Sequence, residues 1–208
     1  MTDHLANLLM LPSLFIALTG SSTLGLMILL GSLFRTFEKA PKLENAAESQ
    51  QGLSNTAITV VVPAYNEALN IEACISSLLT NSEPCKKWKL LLVDDDCSDE
   101  TVKIAMQVAN NLKVSTDRFG VIHAGPRPQG ERWVGKNWPC ARAMEHVDSP
   151  WVLFVDADVR LGTNTLKRAL HQAIKEELDL LSLAPKIICG CLSEWMVQPI
   201  MASLLCVG

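Results

Sequence analysis

The stretch Ala57–Pro63 reads AITVVVP, and this pattern indicates the class of the fold. Its apolar residues follow one another without alternation, and most of the stretch is β-branched. A short run of this kind predicts a strand that is buried on both faces, as in a parallel sheet. Because parallel strands need crossover connections, helices should cover the faces of the sheet.

The chain after this strand alternates between helix and strand patterns. Apolar residues at helical spacing predict helices over residues 69–80, 99–112, 137–146 and 164–178. Short apolar runs predict further strands over residues 89–93, 119–123, 151–155 and 180–184. This alternation predicts an α/β fold with a doubly wound, mostly parallel, Rossmann-like sheet.

A long apolar segment precedes the sheet region. No charged residue occurs from Leu5 to Phe34, a length that exceeds the roughly 20 residues needed to cross a bilayer. The polar stretch Thr19–Thr23 could split this segment or pack against another helix. We expect a transmembrane anchor over residues 1–40, with a cleaved signal peptide as the alternative.

Basic residues follow the apolar segment and set the expected topology. By the positive-inside rule, Arg35, Lys39 and Lys42 place the following domain in the cytoplasm. Seven scattered cysteines agree with a reducing compartment. Residues 41–56 are polar without an apolar period and predict a linker, after which the sheet domain should extend over residues 57–186.

Composition excludes two classes of protein. With 49% hydrophobic and 19% charged residues, the 208-residue chain is too apolar to be largely disordered. Its formal net charge of -4 gives no bulk attraction for a polyanion, so we expect no nucleic-acid partner.

Three of the predicted strands run into polar, mostly acidic segments: PAYNE (63–67), DDDCSD (94–99) and DAD (156–158). In doubly wound sheets, ligands bind beyond the carboxyl ends of the strands. Each segment could instead cap a helix, and Asp99 in particular could be the N-cap of the second predicted helix. We name as the acidic edge the six carboxylates that these segments bring together: Glu67, Asp94, Asp95, Asp96, Asp156 and Asp158.

Charge repulsion makes the capping interpretation less attractive for all three segments at once. Six carboxylates at one edge repel one another unless a cation is bound among them. In an extended segment, residues i and i+2 face the same way, so Asp156 and Asp158 could address one ion. Carboxylate oxygens suit Mg²⁺ or Mn²⁺, which also take phosphate oxygens, so a nucleoside diphosphate is the natural companion.

Residues 125–136 (GPRPQGERWVGK), here called the basic loop, lie between the third and fourth predicted strands. The loop combines glycines with Arg127, Arg132 and Lys136. One interpretation is a solvated surface loop. The other is a partly flexible lid whose cations meet diphosphate oxygens opposite the acidic edge.

Four motifs in order resemble a known family. They are VVVPAYNE (60–67), LVDDDCSDET (92–101), GERWVGK (130–136) and FVDAD (154–158). Together they are similar to the donor-binding half of inverting glycosyltransferase family 2, which implies a GT-A fold over about residues 57–184. The apolar N-terminus with WVGK is most similar to the membrane-anchored bacterial subgroup that includes hopanoid-biosynthesis-associated and carotenoid glycosyltransferases.

The resemblance implies roles on the nucleotide side of the site. Pro63, Tyr65 and Glu67 would line the nucleotide pocket, with Tyr65 packing on the base. Asp95 would hydrogen-bond the uracil edge, and Asp94 is the alternative for that role.

It also implies roles on the diphosphate side. Arg132 and Lys136 would approach the nucleotide, Asp156 would lie near the ribose or the metal, and Asp158 would bind Mg²⁺ or Mn²⁺. Asp96-Cys97 stands where the family more often has Gly-Ser, so the turn after the second strand is expected to differ in shape.

The activity that the resemblance implies is single displacement from a nucleotide-diphosphate sugar, expected to be a UDP-sugar, to a lipid-type acceptor hydroxyl at the bacterial inner membrane. The catalytic base is expected beyond Gly208, and residues 187–208 are expected to begin an acceptor or membrane-associated half that is cut short. The alternative is a catalytically silent nucleotide-binding remnant or membrane-tethered partner that lacks the base.

Overall fold

The structure is a computed structural model that describes residues 2–39, 42–43, 53, 55–184, 190–194, 197–198 and 201. Contacts divide the chain into two units, one of residues 43–185 and the other of residues 1–42 with 186–208. Most of residues 41–56 and 187–208, predicted as the linker and the start of an acceptor half, lie outside the described residues.

The unit that holds the N-terminus contains a long helix, α1 (Thr2–Lys39). Within it, Pro12–Ser32 is long and apolar enough to cross a membrane, with a mean hydropathy of 1.9. A signal sequence would meet the same criterion. The hydroxyls of Thr19 and Thr23 donate to the helix's own carbonyls at 2.9 and 2.8 Å, so this polar stretch does not interrupt α1.

The other unit is built on a parallel sheet. Its strands are β1 (Ala57–Ala64), β2 (Lys87–Asp94), β3 (Phe119–His123) and β4 (Trp151–Phe154). In the described part of the chain the strand order is β3-β2-β1-β4, with every neighbouring pair parallel. The helices are α2 (Ile71–Leu79), α3 (Thr101–Asn111), α4 (Asn137–Met144) and α5 (Thr165–Lys175).

Helices cover both faces of the sheet. One face packs on α2, α3 and α5 through a large core that includes Val60, Val62, Leu90 and Leu92. The opposite face packs on α4 through a smaller core that includes Val61 and Val93 beside Ala143. Alternate residues of β1 and β2 therefore enter opposite cores, which explains their unbroken apolar pattern. The predicted doubly wound α/β fold is confirmed.

The strand predicted over residues 180–184 is wrong. The structure gives no strand there, and Leu180 is 86% exposed. An apolar run predicts a buried strand only if its side chains gain a packing partner. Leu183 is also exposed, so this segment gains none comparable to the core residues of β1.

Parts of the predicted linker contact the sheet domain. Leu53 is buried in the larger core, and the Arg168 guanidinium donates a hydrogen bond to the backbone carbonyl of Leu43. A single apolar residue in a polar stretch has no periodicity, so the sequence pattern gave no sign of this contact.

Candidate functional site

The carboxyl ends of the strands bring the three acidic segments to one edge of the sheet. In the parallel register, Ala64 of β1 lies beside Asp94 of β2, and Val61 lies beside Phe154 at the end of β4. PAYNE, DDDCSD and DAD therefore leave the sheet on the same side. This is the arrangement that the sequence predicts.

Backbone-to-side-chain hydrogen bonds join the first two segments. The Glu67 amide donates to Thr101 Oγ1 at 2.8 Å, and the Ala68 amide donates to Asp99 Oδ2 at 3.1 Å. The Ser98 amide donates to Asn66 Oδ1 at 2.8 Å in the opposite direction. The loops after β1 and β2 consequently form one connected unit.

Asp99 both caps α3 and joins the two loops. Its Oδ1 accepts from the Thr101 amide at 3.0 Å, while Glu100, at the formal N-cap position, makes no capping bond. Hydrogen bonds from the side chain and amide of Thr101 and the amide of Ala68 lower the pKa of Asp99. Asp99 thus caps the first amide of α3 from one residue before the N-cap position, which Glu100 occupies, so the prediction that Asp99 is the N-cap itself is wrong. The bond to Ala68 adds a second role.

The turn after β2 keeps a backbone shape that favours glycine. Asp96 has a φ of +68°, in the left-handed region where aspartate is better tolerated than most residues. The Cys97 thiol donates to the Ala64 carbonyl at 3.3 Å, as a serine hydroxyl could. The expectation that Asp96-Cys97 reshapes this turn is therefore not supported by the backbone conformation.

Asp94 and Asp95 have different surroundings. The Asp94 side chain is 9% exposed, and its Oδ1 accepts from the Cys97 amide at 2.8 Å. Its Oδ2 lies 2.8 Å from His123 Nδ1. The Asp95 side chain is 12% exposed, and its Oδ2 accepts from Arg127 at 2.9 Å. Asp94 thus supports the turn, whereas Asp95 contacts the basic loop.

The DAD segment lies in a turn and not in an extended strand. The strand β4 ends at Phe154, and the Asp156 carbonyl accepts from the Val159 amide at 3.0 Å. Asp156 and Asp158 are nevertheless exposed on either side of the buried Ala157. The two carboxylates therefore reach solvent together, although through a turn rather than the strand alternation expected from sequence.

One face of α2 holds this turn and the loop after it. The Cys74 thiol contacts the Asp156 carbonyl at 3.6 Å, and Ser77 Oγ accepts from the Leu161 amide at 3.1 Å. Just beyond the helix, Asn81 Nδ2 donates to the Gly162 carbonyl at 2.7 Å. Residues 74, 77 and 81 recur at helical spacing, so a single helix face fixes the segment that carries both aspartates.

The thiol of Cys74 lies close enough to three carboxylates of the acidic edge for their charges to affect its pKa. Burial raises its pKa to about 12, with further contributions from the negative charges of Asp158, Asp156 and Glu67. Those three carboxylates come from the loops after β1 and β4. Their common effect on one sulfur supports the predicted convergence.

The basic loop contacts the acidic edge at two points. Arg127 pairs with Asp95 and also donates to the Gly135 carbonyl at 3.2 Å, while Lys136 pairs with Asp156. Arg132 is exposed and makes no ion pair with any residue that the structure describes. Two of the loop's three cations therefore contact the carboxylates directly.

Glycines and tryptophans shape the basic loop. Gly125, Gly130 and Gly135 have positive φ values, from +52° to +88°, which favour glycine over other residues. Trp138 Nε1 donates to the Gly125 carbonyl at 2.9 Å, and the ring of Trp133 packs edge-on against Trp138 at 5.2 Å between centroids. The Trp138 bond holds the start of the loop at Gly125. The three glycines lie at the start, in the middle and near the end of the loop.

These contacts revise the electrostatic inference from sequence. We expected a bound cation to be necessary for the acidic edge, but Arg127 and Lys136 already neutralise Asp95 and Asp156. Within the described ranges, no group of three or more His, Cys, Asp and Glu side chains is arranged to hold a metal ion. Asp156 and Asp158 provide two exposed carboxylates, a donor set that fits an ion retaining water and phosphate oxygens.

The remaining predicted residues occupy different positions along β1 and its loop. Pro63 is buried inside β1, and Tyr65 is 62% exposed just after the strand. Glu67 is half-buried, and its carboxylate accepts from Asn70 Nδ2 at 2.9 Å. His123 is a further residue at this edge that no sequence motif identifies, and its position as the polar last residue of an apolar strand is the available signal.

A separate cleft of about 680 Å³ lies beside β4 and the end of α5. Its lining includes Trp151, Phe154, Ile174 and Leu178 and none of the residues predicted to bind a donor. The acidic edge contributes none of this lining, and its charged side chains at the carboxyl ends of the strands mark it as the candidate site.

Comparison with protein families gives a match over most of the chain. The family model described as Glycosyl transferase family 2 matches residues 59–203.

Two curated relatives match a smaller part. A 4,4'-diaponeurosporenoate glycosyltransferase of Staphylococcus haemolyticus (strain JCSC1435) is 27% identical over 140 residues, covering 66% of this chain and 34% of the relative. The poly(ribitol-phosphate) beta-N-acetylglucosaminyltransferase TarS of Staphylococcus aureus (strain Mu50 / ATCC 700699) is 28% identical over 132 residues, covering 64% and 21%. The chain therefore spans about a third or less of the length of these relatives.

Solved structures share the same architecture. The crystal structure of Staphylococcus aureus TarS 1-349 in complex with UDP has a TM-score of 0.51 at 27% identity and covers 65% of this chain and 37% of that chain. The mannosyltransferase PcManGT from Pyrobaculum calidifontis in complex with GDP-Man and Mn²⁺ has a TM-score of 0.55 at 23% identity, covering 76% and 42%. This second likeness concerns the fold alone.

Proposed function

Because this chain belongs to glycosyltransferase family 2, we propose that its acidic edge binds a nucleotide-diphosphate sugar and presents the sugar to an acceptor hydroxyl. One observation carries the proposal: the loops after β1, β2 and β4 meet at one edge, and the first two are joined by hydrogen bonds. Parallel sheets bind ligands at this edge.

The nucleoside would lie over the joined loops. Tyr65 is exposed beside Asp95 and could pack on a base, with Pro63 and Glu67 shaping the floor beneath. Asp95 could accept a hydrogen bond from a base N–H once Arg127 releases it. Uracil offers such a donor, and the UDP complex of TarS supports a uridine nucleotide as the first probe.

The diphosphate would lie between the DAD turn and the basic loop. Lys136 and Arg127 would exchange a carboxylate for diphosphate oxygens, and Arg132 is exposed in the same loop. These cations would then stabilise the negative charge on the departing nucleotide, which is the main requirement of the transfer step.

Asp156 and Asp158 would hold a divalent cation. A bound Mg²⁺ or Mn²⁺ would supply additional charge neutralisation for the diphosphate. The chain's own contribution is to orient the two carboxylates, which the α2 contacts to Asp156, Leu161 and Gly162 achieve.

The proposal also covers the acceptor and the cellular location of the protein. The apolar segment Pro12–Ser32 of α1, followed by Arg35, Lys39 and Lys42, supports anchoring in a bacterial inner membrane with the sheet domain in the cytoplasm. A membrane location favours a lipid-type acceptor.

The second candidate is nucleotide binding without transfer. One observation favours it: the Glu194 carboxylate accepts a hydrogen bond from the Gly190 amide at 2.7 Å and is engaged within its own segment. Both candidates require donor binding. They differ in whether the 208-residue chain moves radiolabelled sugar from a UDP-sugar to a lipid extract.

Titration calorimetry of the full chain in detergent, with Mn²⁺ and UDP, tests the shared step. We expect saturable binding that Asp158→Asn weakens at least about tenfold, because a carboxylate ligand is lost. The control Asp148→Asn alters an exposed carboxylate at the opposite end of the sheet and should bind as the wild type does. Absence of UDP binding by the wild type would refute the proposed function.

A further inference from the structure

We propose that His123 contacts the nucleobase of the donor and that Asp94 holds its ring in position for this role. The inference rests on the proposed function, because it presupposes a nucleotide at the acidic edge. It concerns a residue that neither the sequence motifs nor the family match identifies.

The sheet register places His123 beside the loop that follows β2, which carries Asp95. His123 ends β3 and pairs directly with Asp94, which ends β2. The following residue continues the ladder, since the Ala124 amide donates to the Asp94 carbonyl at 2.8 Å. Partners in a parallel register project to the same face, which brings His123 Nδ1 to 2.8 Å from Asp94 Oδ2.

The hydrogen bonds of Asp94 fix the tautomer of the ring. Both oxygens of Asp94 are occupied, Oδ1 by the Cys97 amide and Oδ2 by His123. A carboxylate accepts hydrogen bonds, so Nδ1 carries the hydrogen of this contact. Among the residues that the structure describes, none bonds to the opposite ring nitrogen, Nε2, which can take another partner.

The side chains of His123 and Asp94 differ greatly in their exposure to solvent. The Asp94 side chain is 9% exposed, whereas the His123 side chain is 77% exposed. A buried carboxylate thus orients an imidazole that lies almost entirely in solvent. Turn support alone does not require this, because the Cys97 amide already joins Asp94 to its turn.

The surroundings of His123 indicate the class of ligand. Asp95, the proposed base-binding carboxylate, directly follows Asp94, and its partner Arg127 lies four residues after His123. His123 therefore lies where the loop after β2 meets the start of the basic loop. An oriented ring at this point suits the polar edge of a nucleobase, and it would discriminate between bases that present different donors and acceptors.

The experiment compares the calorimetric affinities of the full chain for UDP and for GDP in the presence of Mn²⁺. His123→Ala should weaken binding of the preferred nucleotide about three- to tenfold, as expected for one hydrogen bond. It should change binding of the other nucleotide by less than twofold, so that the preference decreases. His123→Asn, which can still donate to Asp94 but lacks the ring, should lose the same preference with a smaller effect on thermal stability.

The control is His146→Ala, because the exposed His146 interacts with Lys89 only through its backbone carbonyl. Wild-type affinities and preference in this control support the assignment. Equal losses for UDP and GDP in His123→Ala, or no change in either, would overturn it while leaving the proposed function intact. If the wild type binds neither nucleotide, both proposals are refuted.

Discussion

Thr101 connects the two loops of the nucleotide side through a single hydroxyl. Its side chain is fully buried, accepts from the Glu67 amide and donates to Asp99 Oδ1. Removing the hydroxyl would leave a backbone N–H and a carboxylate oxygen without this partner. One uncharged residue thus contributes to the shape of both loops, beside the bonds of Asn66 and Asp99.

Replacing Thr101 with valine should keep the side-chain volume and remove both hydrogen bonds. We expect the free energy of unfolding to fall by about 1–3 kcal/mol, the usual cost of leaving a buried polar group unsatisfied. Chemical denaturation measures this change. The control Thr163→Val alters an exposed threonine and should stay within about 0.5 kcal/mol of the wild type. Equal stability of the two variants would contradict the role of Thr101.

Sequence reasoning succeeded for some residues and failed for others for identifiable reasons. The convergence of Glu67, Asp156 and Asp158 follows from their places just after parallel strands, and their charges add to the effect of burial in raising the pKa of Cys74. His123 was overlooked because its significance depends on the β2–β3 register, which no local pattern encodes. The roles of all the predicted site residues in donor and metal binding, including those of Pro63, Tyr65 and Arg132, stay predictions.

The basic loop is the element whose behaviour decides donor binding. In the structure its cations pair with Asp95 and Asp156, whereas the proposed function needs them on diphosphate oxygens. Binding of the donor must therefore exchange one set of ion pairs for another. Glycines with positive φ along the loop are compatible with such a change.

This exchange predicts opposite effects of one substitution. Lys136→Gln should tighten binding of Mn²⁺ alone about 1.5- to fivefold, because Asp156 loses an exposed ion pair of the usual strength. The same variant should bind UDP with Mn²⁺ at least about tenfold more weakly, because a charged contact to the diphosphate is lost. Titration calorimetry gives both affinities.

The control for this test is Lys103→Gln, which removes an exposed pair with Glu100 at the start of α3. It should leave both affinities unchanged. If Lys136→Gln shifts the affinities for Mn²⁺ and for UDP in the same direction, Lys136 does not move between Asp156 and the diphosphate.

Most elements could be predicted because burial dictates their pattern. Residues 119–123 were predicted with the observed bounds, and β1, β2 and β4 differ by one or two residues at their ends. Residues 180–184 have the same apolar character but no packing partner, and a sequence pattern does not contain that information. The turn at Asp156 could not be predicted either, because the residue at which β4 ends depends on its pairing with β1.

On the scale of the whole molecule, the proposed anchoring depends on α1. Within Pro12–Ser32 the described side chains are exposed, as a lipid-facing helix requires. The double variant Leu24→Arg with Ile28→Arg should release the protein from membranes on alkaline washing, since each central arginine costs about 2.5–3.5 kcal/mol of insertion free energy. The control Ser21→Ala should remain in the membrane fraction. Retention of the double variant would contradict a spanning helix.

The central claim is that the edge formed by the ends of β1, β2 and β4 receives a nucleoside diphosphate and its cation. A crystal of the full chain with UDP and Mn²⁺ tests this most directly, because the anomalous signal of manganese locates the ion. We expect the signal beside Asp156 and Asp158, uracil against Tyr65 and Asp95, and Lys136 moved from Asp156 to the diphosphate. Manganese and nucleotide bound elsewhere, with Arg127 and Lys136 still paired to Asp95 and Asp156, would contradict the account.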